Sequence, residues 1–151
     1  MRDTREMSVE VPESADAVFD AFLGVFQSTK SCKILAVHCE GRRLVIREKP
    51  WYSNPRFTLV AVDESGPGSQ FHVVVGADPR TPAAILDGRL NARALTKLLV
   101  RVRAAVDGSE PAPASPVDNY YLQKKTQVPW VDVEQPPEIE LGGNVLAMYG
   151  L

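Results

Sequence analysis

Arg89, Arg93, Lys97 and Arg101 stand at intervals of four in GRLNARALTKLLVRVRAAVDG, residues 88–108. On a helix that spacing stacks four cations along one side, where they could hold something negative. The nearest candidate lies in the same chain. From Arg80 to Arg103 there are six bases and one acid, whereas from Asp107 to Leu151 there are seven acids and two bases. Exposed ion pairs contribute about 0–1 kcal/mol each, so charge would select where the acidic segment lies and apolar contacts would have to hold it there. The whole chain carries a net charge of -2. That balance speaks against a dedicated nucleic-acid binder, and an acidic tail would compete for the row.

The other chemistry-bearing residues are sparse. His38 and Cys39 are adjacent in CKILAVHC, and His72 lies further on in QFHVVVGAD. Neighbours on a strand point to opposite faces, so His38 and Cys39 cannot share a metal ion easily. Cys32 and Cys39 form no CxxC pair, and on one extended strand they would lie about 23 Å apart, too far for a disulfide. A reduced chain in the cytoplasm is expected. The sequence contains no GxSxG, HExxH, P-loop or GxGxxG, and GPG at 66–68 suits a hairpin turn better than a phosphate cradle. Asp63 and Glu64 sit at a turn, where carboxylates face solvent. Trp51 and Tyr52, flanked by prolines, either line the mouth of a pocket or pack at a sheet edge. No catalytic residue, metal or cofactor is expected, and the chain reads as a non-enzyme.

The elements that would position these residues follow from periodicity. EMSVEV alternates as a half-buried strand that Pro12 ends. Ser14 offers an N-cap, and Val18, Phe19, Phe22, Leu23, Val25 and Phe26 recur as the apolar stripe of a helix to about residue 27. CKILAVHC and LVIREK form a hairpin with Gly41 at the turn, and RFTLVAVDE and QFHVVVGAD form a second around SGPGS. The second pair is apolar at nearly every position. Both faces of the sheet therefore want cover, one from the helices and one from something else. Thr81 and Pro82 are read as N-cap and first residue of the last helix, broken early by Gly88. Its buried stripe is Leu95, Leu98, Leu99, Val102 and Val106, and Gly108 stops it. The expected fold is α+β: an antiparallel sheet of about five strands in the order β-α-β-β-β-β-α, gripped by two helices.

Beyond Gly108 the composition changes. Residues 1–108 read as the α+β domain, 109–116 (SEPAPASP) as a semi-rigid linker, and 117–151 as an extended acidic, aromatic C-terminal arm. A segment meant to stay disordered would be poor in aromatic residues. This one holds Tyr120, Tyr121, Trp130, Ile139, Leu141 and the closing VLAMYGL. The N-terminus, MRDTREMSVEV, is charged and lacks the apolar stretch of a signal peptide, and no run reaches the length of a membrane span.

VEVPESADAVFDAF, with Val18 followed by Phe19, and a long closing helix together resemble the START-like or helix-grip superfamily over about residues 6–107. The resemblance implies an apolar ligand held between sheet and closing helix. In this chain the expected lining is Phe22, Phe26, Phe57, Phe71 and Leu98. The family usually carries a second short helix after the first and more strands in its sheet; the five strands read here and the C-terminal arm depart from that pattern.

Two functions are thereby expected. The leading one is an interaction or assembly subunit, docking on a protein partner or a neighbouring subunit through Tyr120, Tyr121, Trp130, Ile139 and Leu141 with the row Arg89, Arg93, Lys97 and Arg101. The alternative is a START-like binder or carrier of a small apolar ligand, or a cofactor-free enzyme acting on one.

Overall fold

The computed structural model describes residues 1–147. In chain order the elements are β1 (Arg2–Val11), α1 (Ala15–Gln27), β2 (Cys32–His38), β3 (Arg43–Glu48), β4 (Arg56–Ser65), β5 (Gly68–Ala77), α2 (Asp87–Asp107), β6 (Tyr120–Gln123), β7 (Thr126–Pro129), β8 (Glu138–Leu141) and β9 (Asn144–Ala147). The sheet runs β1-β5-β4-β3-β2-β6-β8-β9, with β7 hydrogen-bonded to β6. The α+β class and the two gripping helices are as expected, but among the described residues the sheet has nine strands and not about five. The first five come from the body in the expected order; the rest come from the arm.

α1 forms where the sequence places it. Ser14 Oγ accepts from the Ala17 N–H at 3.2 Å, and Asp16 lies in the first turn. Its stripe is buried against the concave face of the sheet, where Leu44, Ile46, Val60, Val62, Phe71, Val73 and Val75 join Leu95, Leu98 and Val102 of α2. Phe22 is fully buried, stacked near Phe26 at 6.5 Å and edge-on to Phe71 at 5.2 Å. The β2–β3 turn places Arg42, not Gly41, in the left-handed region at φ 54°. Gly108 ends α2 at φ 82°, the backbone that favours glycine at this position.

The start of α2 differs from expectation. The helix begins at Asp87, not near Thr81, and its N-cap residue Leu86 makes no side-chain cap bond. Thr81 Oγ1 instead donates to the Asp78 carbonyl at 2.7 Å. The Asp87 carboxylate accepts from the Ala84 N–H at 3.1 Å, from Asn54 Nδ2 and from Arg2 Nη2. Asp87 is 3% exposed, so burial pushes its carboxyl up. The hydrogen bonds from Ala84, Asn54 and Arg2 outweigh that and hold it below the usual carboxylate range.

The arm supplies the second cover that the apolar hairpins demand. β6 adds to the free edge of β2 in antiparallel register, Ala36 opposite Tyr121 and Val37 opposite Tyr120. Leu122, Trp130 and Ile139 then close over Leu35, Ala36, Val45, Phe57 and Leu59 on the convex face, forming a second core. Trp130 Nε1 donates to the carbonyls of Asp132 at 2.9 Å and Gln135 at 3.0 Å, so its polar edge is satisfied while the ring is buried. Residues 109–116 have no regular structure yet lie against α1. Gln27 brackets Ser115 through two hydrogen bonds, and Ala112 and Ala114 join the first core. Of the closing VLAMYGL, residues 148–151 lie outside the described residues.

Candidate functional site

Asp87 and Asn91 are the buried residues in the first turns of α2; the apolar stripe begins only at Leu95. The early helix is thus held by polar contacts, Asp87 to Arg2 and Asn54 and Asn91 Nδ2 to the Asp3 carbonyl at 2.9 Å. Apolar sheet surface beside it stays uncovered. There a cleft of about 660 Å³ opens between α2, the C-terminal end of α1 and the ends of β2, β3 and β4. Val25, Phe26, Thr58, Val75 and Leu98 line it together with Leu90 and Ala94. Leu90, Ala94 and Leu98 recur at four, one helix row; Arg93, Lys97 and Arg101 form the row beside it and also line the cleft.

Across from the helix stand Ser31, Cys32, Glu48, Lys49 and Arg56, with Pro50, Trp51 and Tyr52 at the mouth. Trp51 is 94% exposed, and its ring meets Tyr52 edge-on at 5.5 Å. Arg56 Nε lies 2.8 Å from Glu48 Oε2, with the Arg56 side chain 6% exposed. Arg101 Nη1 donates to Thr29 Oγ1 at 2.8 Å, tying α2 to the end of α1 across the cleft. Burial, and then the Glu48 carboxylate, pushes the Cys32 thiol up to about 11. At neutral pH it is a protonated, polarizable wall atom and not a nucleophile.

A smaller apolar gap of about 200 Å³ lies on the other side of α2, lined by Val9, Val11, Val18, Phe71, Leu99 and Val102. Phe22, in contact with both Phe26 and Phe71, packs between the two openings.

The residues expected to line a ligand pocket are thereby divided. Phe26 and Leu98 line the cleft, Phe71 lines the smaller gap, and Phe22 supports both. Phe57 does not belong with them. Alternation along β4 turns Thr58, Val60 and Val62 to the concave face and Phe57 and Leu59 to the convex one, so Phe57 lies under the arm. Trp51 and Tyr52 stand exposed at the mouth of the cleft and are not packed at a sheet edge, the position such a loop more often takes.

The set expected to bind a partner is also divided. Trp130 is 3% exposed and Ile139 fully buried on the chain's own sheet, with Tyr120, Tyr121 and Leu141 partly buried around them. Arg93, Lys97 and Arg101 lie on the opposite side of the sheet, at the cleft, while Arg89 is exposed outside it. Among the described residues no ion pair joins the row to the acidic arm. The arm is anchored instead by Arg80, whose Nη1 donates to the Leu141 carbonyl at 3.1 Å while its Nε donates to Asp78 at 2.9 Å. Asp78 is fully buried. Burial pushes its carboxyl up, but hydrogen bonds from Arg80 and Arg47 outweigh this and hold it below the usual range.

His38 Nδ1 accepts from the Gly41 N–H at 2.9 Å, which leaves Nε2 to donate to the Val131 carbonyl at 3.1 Å. His72 lies two intervening strands away on β5, beside Ser8 Oγ at 2.7 Å. Among the described residues no group of three metal-ligating side chains comes together, and no helix is long and apolar enough to cross a membrane.

Sequence reasoning missed Glu48, Lys49, Arg56 and Thr29 as cleft residues, since they come from three separate element ends: the end of β3, the start of β4 and the end of α1. It could have found Leu90 and Ala94, which continue the Leu98 row at intervals of four beside the cations.

No family model matches the sequence, and no curated protein matches it. Solved structures do. Ara h 8.0201 aligns over 70% of this chain and 97% of its own, at 11% identity and a TM-score of 0.55. DynU16, a protein of the dynemicin biosynthetic locus, aligns over 100% of this chain and 69% of its own, at 13% identity and a TM-score of 0.53. A START superfamily protein from Mycobacterium smegmatis aligns over 70% of this chain and 98% of its own, at 18% identity and a TM-score of 0.40. A curled sheet, antiparallel except where β6 meets β8, a helix after its first strand and a long closing helix lying over its concave face are the helix-grip fold, and this chain has it.

Proposed function

We propose that the protein binds a small, largely apolar ligand in the cleft between α2 and the concave face of the sheet. The observation that carries this reading is the cleft itself. At about 660 Å³ it falls in the size range of small-molecule sites, and its floor is built from Val25, Phe26, Val75 and Leu98. The expectation of an assembly subunit gives way to this alternative. Trp130, Ile139 and Leu122 are occupied by the chain's own convex face and are not offered to a partner. The arm acts here as a structural cover that braces the sheet from behind while the cleft opens in front.

Binding of the neutral fluorescent probe N-phenyl-1-naphthylamine tests the reading. The wild-type chain is expected to take up one equivalent saturably. Ala94→Trp, which fills the cleft from its helix wall, is expected to weaken uptake at least tenfold with the unfolding midpoint kept. The absence of saturable uptake, or uptake indifferent to Ala94→Trp, overturns the proposal.

A further inference from the structure

The charged side chains that line the cleft are Lys49, Arg56, Arg93, Lys97 and Arg101 on the positive side and Glu48 on the negative. The whole chain carries -2, so this concentration of positive charge is local and runs against the overall balance. Two of the cations are occupied: Arg56 by Glu48 at 2.8 Å and Arg101 by Thr29 Oγ1 at 2.8 Å. Arg93 and Lys97, like Lys49 across the cleft, have neither a side-chain hydrogen bond nor an ion pair among the described residues. They lie four residues apart on α2, directly beside the apolar row Leu90, Ala94 and Leu98. An apolar body lying on that row would place its end group next to Arg93 and Lys97, two of the three unoccupied cations.

We infer that the ligand of this cleft is an amphipathic anion: an apolar body carrying one carboxylate or phosphate group, held at that group by Arg93 and Lys97. The inference rests on the proposed cleft function and adds the chemical class of the ligand. Low-dielectric walls of Val25, Phe26 and Leu98 strengthen an ion pair formed at the rim. A guanidinium beside an ammonium suits either oxyanion, since the guanidinium can bind two oxygens and the ammonium acts as a point charge.

The test compares dodecanoate, dodecyl phosphate and dodecanol, below their micellar concentrations, by calorimetric titration of the full chain. Dodecanoate or dodecyl phosphate is expected to bind at least tenfold more tightly than dodecanol at low salt, with the advantage shrinking as salt rises. Whichever anion binds more tightly names the oxyanion. Arg93→Gln with Lys97→Gln is expected to erase the advantage, bringing the anions to within twofold of dodecanol on the same variant. Both side chains are exposed, so the double variant keeps the fold. Equal affinity for anion and alcohol, or an anion preference that survives the double variant, overturns the inference and leaves the cleft reading standing. Failure of all three ligands to bind counts against the cleft reading, and the inference falls with it.

Discussion

Gly24 lies on the buried face of α1, and a Cβ placed there would come 1.8 Å from the Ala112 carbonyl oxygen, 2.8 Å from its carbon and 3.1 Å from the Ala114 nitrogen. All three are backbone atoms of the segment that leads from α2 to the arm, so no side-chain rotation relieves the clash. That segment would have to withdraw by more than 1 Å to restore even the tightest contact seen for real Cβ atoms, 3.0 Å. On an isolated helix Gly→Ala stabilises by about 0.5–1 kcal/mol. Here overpacking opposes that gain with roughly 1–3 kcal/mol. Gly24→Ala is therefore expected to destabilise the full chain by about 1–2 kcal/mol, which lowers the urea midpoint by about 0.5–1 M for a protein of this size. The midpoint should not change on dilution, because the contact is made within one chain; docking on a neighbour would make it concentration-dependent. A Gly24→Ala chain more stable than the wild type would refute the reasoning, since it would mean that residues 112–114 are not held against α1.

Ile139→Ala, at a fully buried position of the second core, is expected to cost about 2–5 kcal/mol in chemical denaturation, with the neutral probe still bound under native conditions. Asp78→Asn is expected to cost about 2–4 kcal/mol, below the value for a wholly buried pair because Arg47 and Arg80 are 27% and 26% exposed. The same variant carries a pH signature. Asp78 and Asp87 titrate lower in the folded chain than in the unfolded one, so their stabilisation is full above the ordinary aspartate range and is lost as pH falls through the depressed folded values. Stability against acid should therefore fall less steeply in Asp78→Asn than in the wild type; an unchanged slope in urea titrations between neutral and acid pH would contradict this. Trp51→Ala with Tyr52→Ala is expected to weaken probe binding several-fold without moving the unfolding midpoint, because both rings are exposed and support no core.

Much of the body was legible because its period is strong. Val18 to Phe26 mark α1, and the apolar hairpins mark β2 to β5. Those hairpins also showed that both faces of the sheet need cover. The identity of the second cover was harder to read. YYLQ and EIEL are four-residue strands, too short to show alternation, and they pair with β2 and with one another only after the chain has crossed the body. Strand pairing over such distances leaves no local signal. The start of α2 was misplaced because Thr-Pro at 81–82 is a good helix opening, yet Thr81 is drawn to the Asp78 carbonyl and Asp87 takes over the local hydrogen bonding. The cationic row was visible, and what it faces was not. Its natural counterpart in the sequence is the acidic arm, but β6 carries that arm around the edge of the sheet to the far side. Phe57 was grouped with the other phenylalanines by type, when its parity along β4 places it opposite to Thr58 and Val60.

The most direct measurement is amide chemical-shift mapping of the full chain on titration with N-phenyl-1-naphthylamine. The ligand-binding reading predicts saturable shifts gathered at Phe26, Cys32, Thr58, Val75, Ala94 and Leu98, with the amides of Leu122, Trp130 and Ile139 unmoved. Shifts centred on the arm, or none that saturate, would contradict it.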